Sequence, residues 1–257
     1  SYCFNNCTAL TTIPEGLFEN NTAVTNFSNC FYCCSELTTI PKGLFENNTA
    51  VTTFKDCFNN CTALTTIPEG LFANNTAATN FSYCFYCCSE LTTIPKGLFE
   101  NNTAVTTFKD CFNNCTALTT IPEGLFANNT AVTDFSYCFN NCTALTTIPE
   151  GLFANNTAVT NFSNCFCYCT QMTLNANIFV NPESEKSTRF KDKTMDFSSC
   201  FKNVGYYNET LGTAPALWSY EQGSGQWTTT DCFKDCHITN HADVPNDGSW
   251  GTPKASN

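Results

Sequence analysis

The sequence repeats with a period of 27 residues, and this period constrains the fold more than any other feature. The leucine column shows it, because no insertion separates its members, which are Leu10, Leu37, Leu64, Leu91, Leu118, Leu145 and then Met172. A unit this short cannot bury its own apolar side chains, so successive units must stack on one another. The period therefore predicts a repeat solenoid of about nine coils.

Each unit contains two similar segments that are rich in Thr and apolar residues. In the first unit these are residues 8–13, TALTTI, and residues 22–27, TAVTNF. Between them, Pro14 and Gly16 occupy the second and fourth places of a four-residue turn, which suits type I geometry. Because Thr and Val favour strands, we expect each coil to be β-rich, with two short strands and short helical turns.

The triplet Asn20-Asn21-Thr22 recurs in every regular unit. We expect the stacked Asn side chains to satisfy backbone groups at the bend. The same triplet matches the glycosylation sequon, which is the alternative for a eukaryotic source.

The regular period divides the chain into three parts. Residues 1–179 form the regular coils, and residues 180–194 form a polar, mixed-charge insertion that we expect to be a solvated loop. Residues 195–257 carry degenerate units and all three Trp residues, as expected for a cap on one continuous solenoid. Because Ser1 lies inside a unit, we expect a leader or further coils to precede it.

The charge balance restricts the classes of partner. Lys and Arg total 11 against 22 for Asp and Glu, which gives a net charge of −11. Neutralising phosphates requires the opposite balance, so we expect neither nucleic acid nor an anionic lipid surface as a partner. No stretch approaches the roughly 18 to 20 apolar residues of a spanning helix, so we expect no membrane insertion.

Two cysteine columns run through the repeats. They contain Cys3, Cys30, Cys57, Cys84, Cys111, Cys138 and Cys165, and, four residues later, Cys7, Cys34, Cys61, Cys88, Cys115, Cys142 and Cys169. Buried Cys behaves as a small hydrophobe, so we favour packed thiols. Disulfides between adjacent coils are the alternative, because stacking places the Cα atoms about 5 Å apart, within disulfide range.

The strongest metal-binding constellation is Cys232, Cys236, His237 and His241, whose donor atoms are those that zinc takes. Both Cys belong to the core columns, so we expect no metal and no cofactor. Nucleophilic catalysis needs a base beside the nucleophile. The two His of the chain both lie in the terminal coil, and we therefore expect no enzymatic activity.

On a solenoid, function is expected in the columns that vary, because stacking explains the invariant ones. One variable column is polar and contains Asn26, Thr53, Asn80, Thr107, Asp134 and Asn161. The other contains Asn29, Asp56, Tyr83, Asp110, Tyr137 and Asn164. We select the polar column, together with Tyr83 and Tyr137, as the candidate contact with a protein or glycan. Simple solvent exposure would also explain the variation.

The motif C-F-x-x-C-x-x-L-T-T-I-P, followed by the arm V-T-x-F, resembles the BspA-like leucine-rich repeats of bacterial and some protist cell surfaces. The resemblance covers residues 1–179 strongly and the remainder loosely, and the unit here is longer than the family's usual one. It implies a leucine-rich-repeat-like right-handed superhelix. It also implies an extracellular or cell-surface protein that mediates adhesion to a protein or glycan on a host or neighbouring cell.

Two other functions remain open at this stage. A passive structural spacer in an envelope or phage fibre would use coil number only to set its reach, and residues 28–81 and 82–135 are indeed nearly identical. Regular Thr arrays also suggest ice binding, although we expect the adjacent Thr11 and Thr12 to point in opposite directions. End-to-end contact between chains through the ends of the stack is also open.

Overall fold

A computed structural model describes residues 1–180 and 187–254, and its coils are joined by two ladders of parallel bridges. The first ladder runs through Asn26, Thr53, Asn80, Thr107, Asp134, Asn161 and Asp196. Strand β1 (Met195–Asp196) continues it by pairing in parallel with β2 (Trp227–Thr228). The second ladder joins Thr93, Thr120, Thr147 and Thr173, and a further bridge joins Gly212 to Ile238. The predicted repeat solenoid is confirmed.

The ladders lie in the two Thr-rich segments that were predicted as strands, but a regular coil contributes only one bridging residue to a ladder instead of an extended strand. Short 3-10 helices occur at Leu217–Ser219 and His241–Asp243. Most of the remaining described chain consists of hydrogen-bonded turns. Backbone hydrogen bonds still join adjacent coils, as those from Thr52 to Thr25 and from Phe54 to Asn80 do at 2.8 and 3.0 Å.

The segment between paired cysteines is a run of reverse turns and not a helix. The amides of Cys30 and Cys34 donate to carbonyl oxygens three residues earlier, at 3.1 and 3.2 Å. The amides of Asn29 and Cys33 donate instead to the next coil, at 3.0 and 2.7 Å. Asn29 and Cys33 have φ of +55° and +56°. The left-handed residues thus turn their amides out of the coil and onto its neighbour.

Stacked phenylalanines fill the interior. One column contains Phe4, Phe31, Phe58, Phe85, Phe112, Phe139, Phe166, Phe201 and Phe233, with ring centroids 5.2 to 5.9 Å apart and nearly parallel planes. From Phe31 onward these rings are fully buried. Each buried Phe contributes about 1.5 to 3 kcal/mol of transfer free energy. The ring stack sets a coil spacing slightly wider than the roughly 4.8 Å of paired strands.

The second Asn of each Asn-Asn-Thr triplet ties neighbouring coils together. Asn75 is fully buried, and its Nδ2 donates to the carbonyl oxygens of Phe45 and Asn48, at 3.0 and 2.9 Å. The same two bonds recur at Asn48, Asn102, Asn129 and Asn156. Each of these amides leaves its Oδ1 without a donor. We call this set the asparagine ladder.

Arg189 ends the asparagine ladder. Its Nη2 donates to the carbonyl oxygens of Phe153 and Asn156, both at 3.0 Å, and these are the two acceptors that the next Asn of the ladder would reach. Arg189 is 9% exposed and the adjacent Phe190 is fully buried. The insertion predicted as a solvated loop therefore contributes Val180, Arg189 and Phe190 to the core. Residues 181–186 of that insertion lie outside the described residues.

Replacing Asn102 with Ala should lower the free energy of unfolding by about 2 to 4 kcal/mol, because two buried carbonyl groups lose their donor. The matched control is Asn101→Ala. Asn101 is exposed and donates once, to the carbonyl oxygen of Ala73, so we expect a loss below about 1 kcal/mol. Urea denaturation followed by circular dichroism measures both, and equal losses would contradict the role of the ladder.

Candidate functional site

The polar column lies on the first ladder, and its side chains accept hydrogen bonds from backbone amides of the turn that follows. Oδ1 of Asn80 accepts the Ser82 amide at 2.8 Å, and Oγ1 of Thr107 accepts the Lys109 amide at 3.1 Å. The equivalent bond is made by Asn26, Thr53, Asp134 and Asn161. Short polar side chains are the ones that reach an amide two residues on. Turn formation therefore explains why this column contains Asn, Thr and Asp.

The second variable column has a backbone conformation that most side chains avoid. Tyr83, Asp110 and Tyr137 have φ of +58°, +56° and +57°. Asn and Asp tolerate this left-handed region, whereas other side chains pay about 1 to 2 kcal/mol there. The turn itself thus gives no reason for Tyr at positions 83 and 137. Tyr2 and Tyr168 adopt the same conformation, so the position beside Asp110 is what distinguishes Tyr83 and Tyr137.

Tyr83 and Tyr137 stand on either side of Asp110, each one coil away from it along the stack. The three residues share an open depression of about 390 Å³, whose other lining residues include Tyr86, Lys109 and Asn113. The rings of Tyr83 and Tyr86 lie 5.8 Å apart at an angle of 57°. We call this depression the Asp110 site. It combines aromatic faces with a carboxylate, an amine and amides.

Asp110 is the acidic group of the site, and burial changes its pKa. Asp110 is 5% exposed, and its Oδ1 accepts Nδ2 of Asn113 at 2.6 Å. Burial raises the pKa of Asp110, while the hydrogen bonds from Asn113 and Tyr83 oppose that rise. Burial, followed by the proximity of the Asp110 carboxylate, raises the pKa of Tyr83 to about 12. The site therefore holds a partly desolvated carboxylate beside a protonated phenol.

Asn113 differs from its counterpart two coils earlier. Asn59 donates to Asp56 at 2.6 Å in the same way, but its Oδ1 accepts Nδ2 of Asn60 at 2.6 Å. Oδ1 of Asn113 is buried and has no donor. A buried acceptor without a donor costs about 1 to 3 kcal/mol. The floor of the Asp110 site consequently contains an acceptor that the chain leaves unsatisfied.

Sequence reasoning selected Tyr83 and Tyr137 but missed Asn113 and Tyr86. The available signal was a third variable column, containing Tyr32, Asn59, Tyr86, Asn113 and Asn140. It lies three residues after the left-handed column, which brings both columns onto one face. Asp110 belongs to the second variable column, but only Tyr83 and Tyr137 of that column were selected as candidate contacts.

All twenty cysteines are free thiols. From Cys34 to Cys169, the second cysteine of each pair donates S–H to a Phe carbonyl oxygen of the preceding coil, as Cys88 does to Phe58 at 3.3 Å and Cys115 to Phe85 at 3.2 Å. Burial raises the pKa of Cys34 to about 11 and raises that of Cys88 strongly. Protonated, packed thiols are therefore the arrangement found.

The possible zinc ligands do not converge. Cys232 and Cys236 are fully buried in the core columns, and Nδ1 of His237 lies 2.8 Å from the carbonyl oxygen of Asn208. Across residues 1–180 and 187–254, no group of three or more His, Cys, Asp or Glu is placed to hold a metal ion. Cys232, Cys236, His237 and His241 are thus not arranged as one metal site in this part of the chain.

The adjacent threonines of each coil are both exposed where the stack is regular. Thr119 and Thr120 show this, and Oγ1 of Thr119 donates to the carbonyl oxygen of Thr92 at 3.3 Å. The same bond recurs along this column. One of the two hydroxyl rows is thus already bonded to the backbone, which weakens the case for ice binding.

A second, larger depression of about 440 Å³ lies where the second ladder is interrupted. Thr147, Thr173, Asn175 and Gly212 are among its lining residues. No titratable or aromatic side chain lines it. We therefore place the candidate function at the smaller Asp110 site.

Parallel ladders, a leucine- and phenylalanine-filled interior and one polar turn face define the chain as a leucine-rich-repeat solenoid. No family model and no curated protein matches the sequence. The part of the chain that the structure describes contains no apolar helix of membrane-spanning length.

Several solved leucine-rich repeat structures are similar to this chain. A T. pallidum leucine-rich repeat protein is 16% identical, with a TM-score of 0.34, and the match covers 62% of this chain and 69% of that one. A repeat protein from Eubacterium ventriosum is 16% identical, with a TM-score of 0.36 and coverage of 96% and 59%. The Drosophila Toll–Spatzle complex gives 18% identity, a TM-score of 0.36 and coverage of 87% and 38%. The match spans 25% to 38% of the LRIM1/APL1C, APL1 and APL1B chains.

Native alkylation with iodoacetamide should modify Cys3 and Cys7 quickly, because both are exposed, and the half-buried Cys33 and Cys87 slowly. The other sixteen thiols are buried and should react only after unfolding, since the thiolate is the nucleophile and burial disfavours it. Intact mass before and after denaturation counts them. A protein that stays largely unmodified after unfolding would instead contain disulfides between coils.

Replacing Tyr137 with Asn should raise the free energy of unfolding by roughly 0.5 to 1 kcal/mol, because Asn tolerates positive φ and Tyr does not. The reverse control is Asn164→Tyr at φ +55° in the next coil, which should lower stability by a similar amount. Thermal denaturation of both variants measures the difference. If Tyr137→Asn destabilises the protein, the ring serves packing.

Proposed function

We propose that this chain is a non-enzymatic extracellular or cell-surface protein of the BspA-like type that mediates adhesion. It binds a protein or glycan on a host or neighbouring cell through its polar turn face. The observation that carries the proposal is the pair of strained tyrosines, Tyr83 and Tyr137, around the buried carboxylate of Asp110. Binding surfaces typically place aromatic side chains, which have few rotatable bonds, beside polar groups.

The duplicated blocks support this location. Residues 28–81 and 82–135 differ at three positions, namely Asn29 against Tyr83, Ala78 against Val132, and Asn80 against Asp134. Two of the three differences fall on the turn face, in the two variable columns. A passive spacer does not require differences at these surface positions. In a binding protein, they change the contact surface and leave the packing of the core unchanged.

The chemistry of the thiols supports a non-enzymatic function. Burial favours the protonated form of the core cysteines, and the second column is also hydrogen-bonded to backbone carbonyl groups. A catalytic cysteine needs an accessible thiolate, which an electropositive surrounding stabilises. These cysteines have the opposite environment.

Two deletions of equal length distinguish a binding face from a passive spacer. Removing residues 82–135 places Asp56 between Asn29 and Tyr137, whereas removing residues 28–81 keeps Asp110 between Tyr83 and Tyr137. Both junctions preserve the 27-residue register. We expect binding of the labelled protein to epithelial cells, bacterial cells or extracellular-matrix coats to be lost with the first deletion and kept with the second. Equal retention by both would place the binding outside the Asp110 site, and a full chain that binds none of these surfaces would indicate a spacer.

A further inference from the structure

We infer that the Asp110 site binds sugar rings, so that the ligand of the turn face is a neutral glycan. This inference rests on the proposed function and narrows it to one class of ligand. It is carried by the polar groups of the site, by its aromatic faces and by the unsatisfied acceptor in its floor.

The polar groups of the site suit a ligand that both donates and accepts hydrogen bonds. Asp110 and Oδ1 of Asn113 are acceptors, while the Lys109 ammonium is a donor, and the Asn140 amide offers both. Sugar hydroxyls donate and accept at the same oxygen. A basic peptide side chain would meet the carboxylate but would be repelled by Lys109. The mixture therefore favours a neutral polyhydroxyl ligand.

The tyrosines supply the apolar surface that a sugar ring needs. Tyr83 and Tyr86 form one tilted pair, and Tyr137 is 37% exposed on the far side of Asp110. Beneath the site, the ring centroids of Phe85 and Phe112 lie 5.6 Å apart, and those of Phe112 and Phe139 lie 5.5 Å apart. Tyr combines an apolar ring with a polar tip, so one side chain contacts both the C–H face and a hydroxyl group. A depression of about 390 Å³ lies within the range of small-ligand sites.

The floor of the site explains why this coil is the binding coil. The segments 55–61 and 109–115 have the same sequence, KDCFNNC. In the earlier coil Oδ1 of Asn59 is satisfied by Asn60, and the carboxylate of Asp56 lies between positions occupied by Asn29 and Tyr83. In the later coil Oδ1 of Asn113 lacks a donor, and tyrosines flank Asp110 on both sides. A ligand hydroxyl, or a water molecule held beneath the ligand, supplies the missing donor.

The test uses the full chain and a glycan array, followed by saturation-transfer NMR with the neutral monosaccharides and disaccharides of the arrayed glycans that bind. Asp110→Asn and Tyr137→Asn should weaken saccharide binding at least tenfold, because each removes a contact of the site. The matched control Asp56→Asn should change affinity less than twofold. Thermal stability should be unchanged or raised in Tyr137→Asn, which separates loss of binding from loss of folding.

Three outcomes would overturn the inference. One is an array without any bound glycan, and another is equal weakening by Asp56→Asn and Asp110→Asn. The third is binding of Lys- or Arg-rich peptides, but not saccharides, in a manner that depends on Asp110. If cell binding is still lost on deletion of residues 82–135, the proposed adhesive function stands and only the glycan assignment fails. If both deletions leave cell binding intact, the binding site lies elsewhere on the chain, and if the full chain binds none of the tested cells or coats, the adhesive function itself fails.

Discussion

The buried Asn amide is the interaction on which the repeat depends. Asn102 donates to the carbonyl oxygens of Asn75 and Phe72, which lie 27 and 30 residues earlier in the chain. The thiol of Cys88 also reaches back 30 residues, to the carbonyl oxygen of Phe58. A single inserted residue would move both sets of donors away from their acceptors. The invariance of the period over residues 1–179 is therefore a hydrogen-bonding requirement as well as a packing one.

The left-handed column lets the surface change while this framework is kept. At positions such as Asp110 the backbone amide bonds the neighbouring coil, and the side chain faces the turn surface instead of the Phe stack. Substitution there alters local backbone preference and surface chemistry but leaves the Phe stack intact. The protein therefore tolerates Asn, Asp, Ser and Tyr at one structural position. A residue that disfavours positive φ at this position destabilises only the turn that contains it.

Columns that repeat could be interpreted from sequence, whereas contacts made outside the period could not. The Leu and Phe columns predicted the solenoid, and the Thr-rich segments predicted where its ladders lie. The positive φ of Tyr83 was not predictable, because Tyr is uncommon in that conformation. Arg189 joins the ladder from an insertion that breaks the register. Asn59 and Asn113 occur in identical local sequences yet differ in hydrogen bonding, so only the neighbouring coils distinguish them.

The side-chain donors of the asparagine ladder all point towards the preceding coil, as the thiol of Cys88 does, so the stack has a direction. Where the 27-residue register breaks, the last coil of the ladder leaves the carbonyl oxygens of Phe153 and Asn156 without an Asn donor. Arg189 fills both with a guanidinium, a group that donates and cannot accept. The Phe stack continues past it to Phe201 and Phe233, so the later units depart from the period without leaving these two buried carbonyl oxygens unpaired.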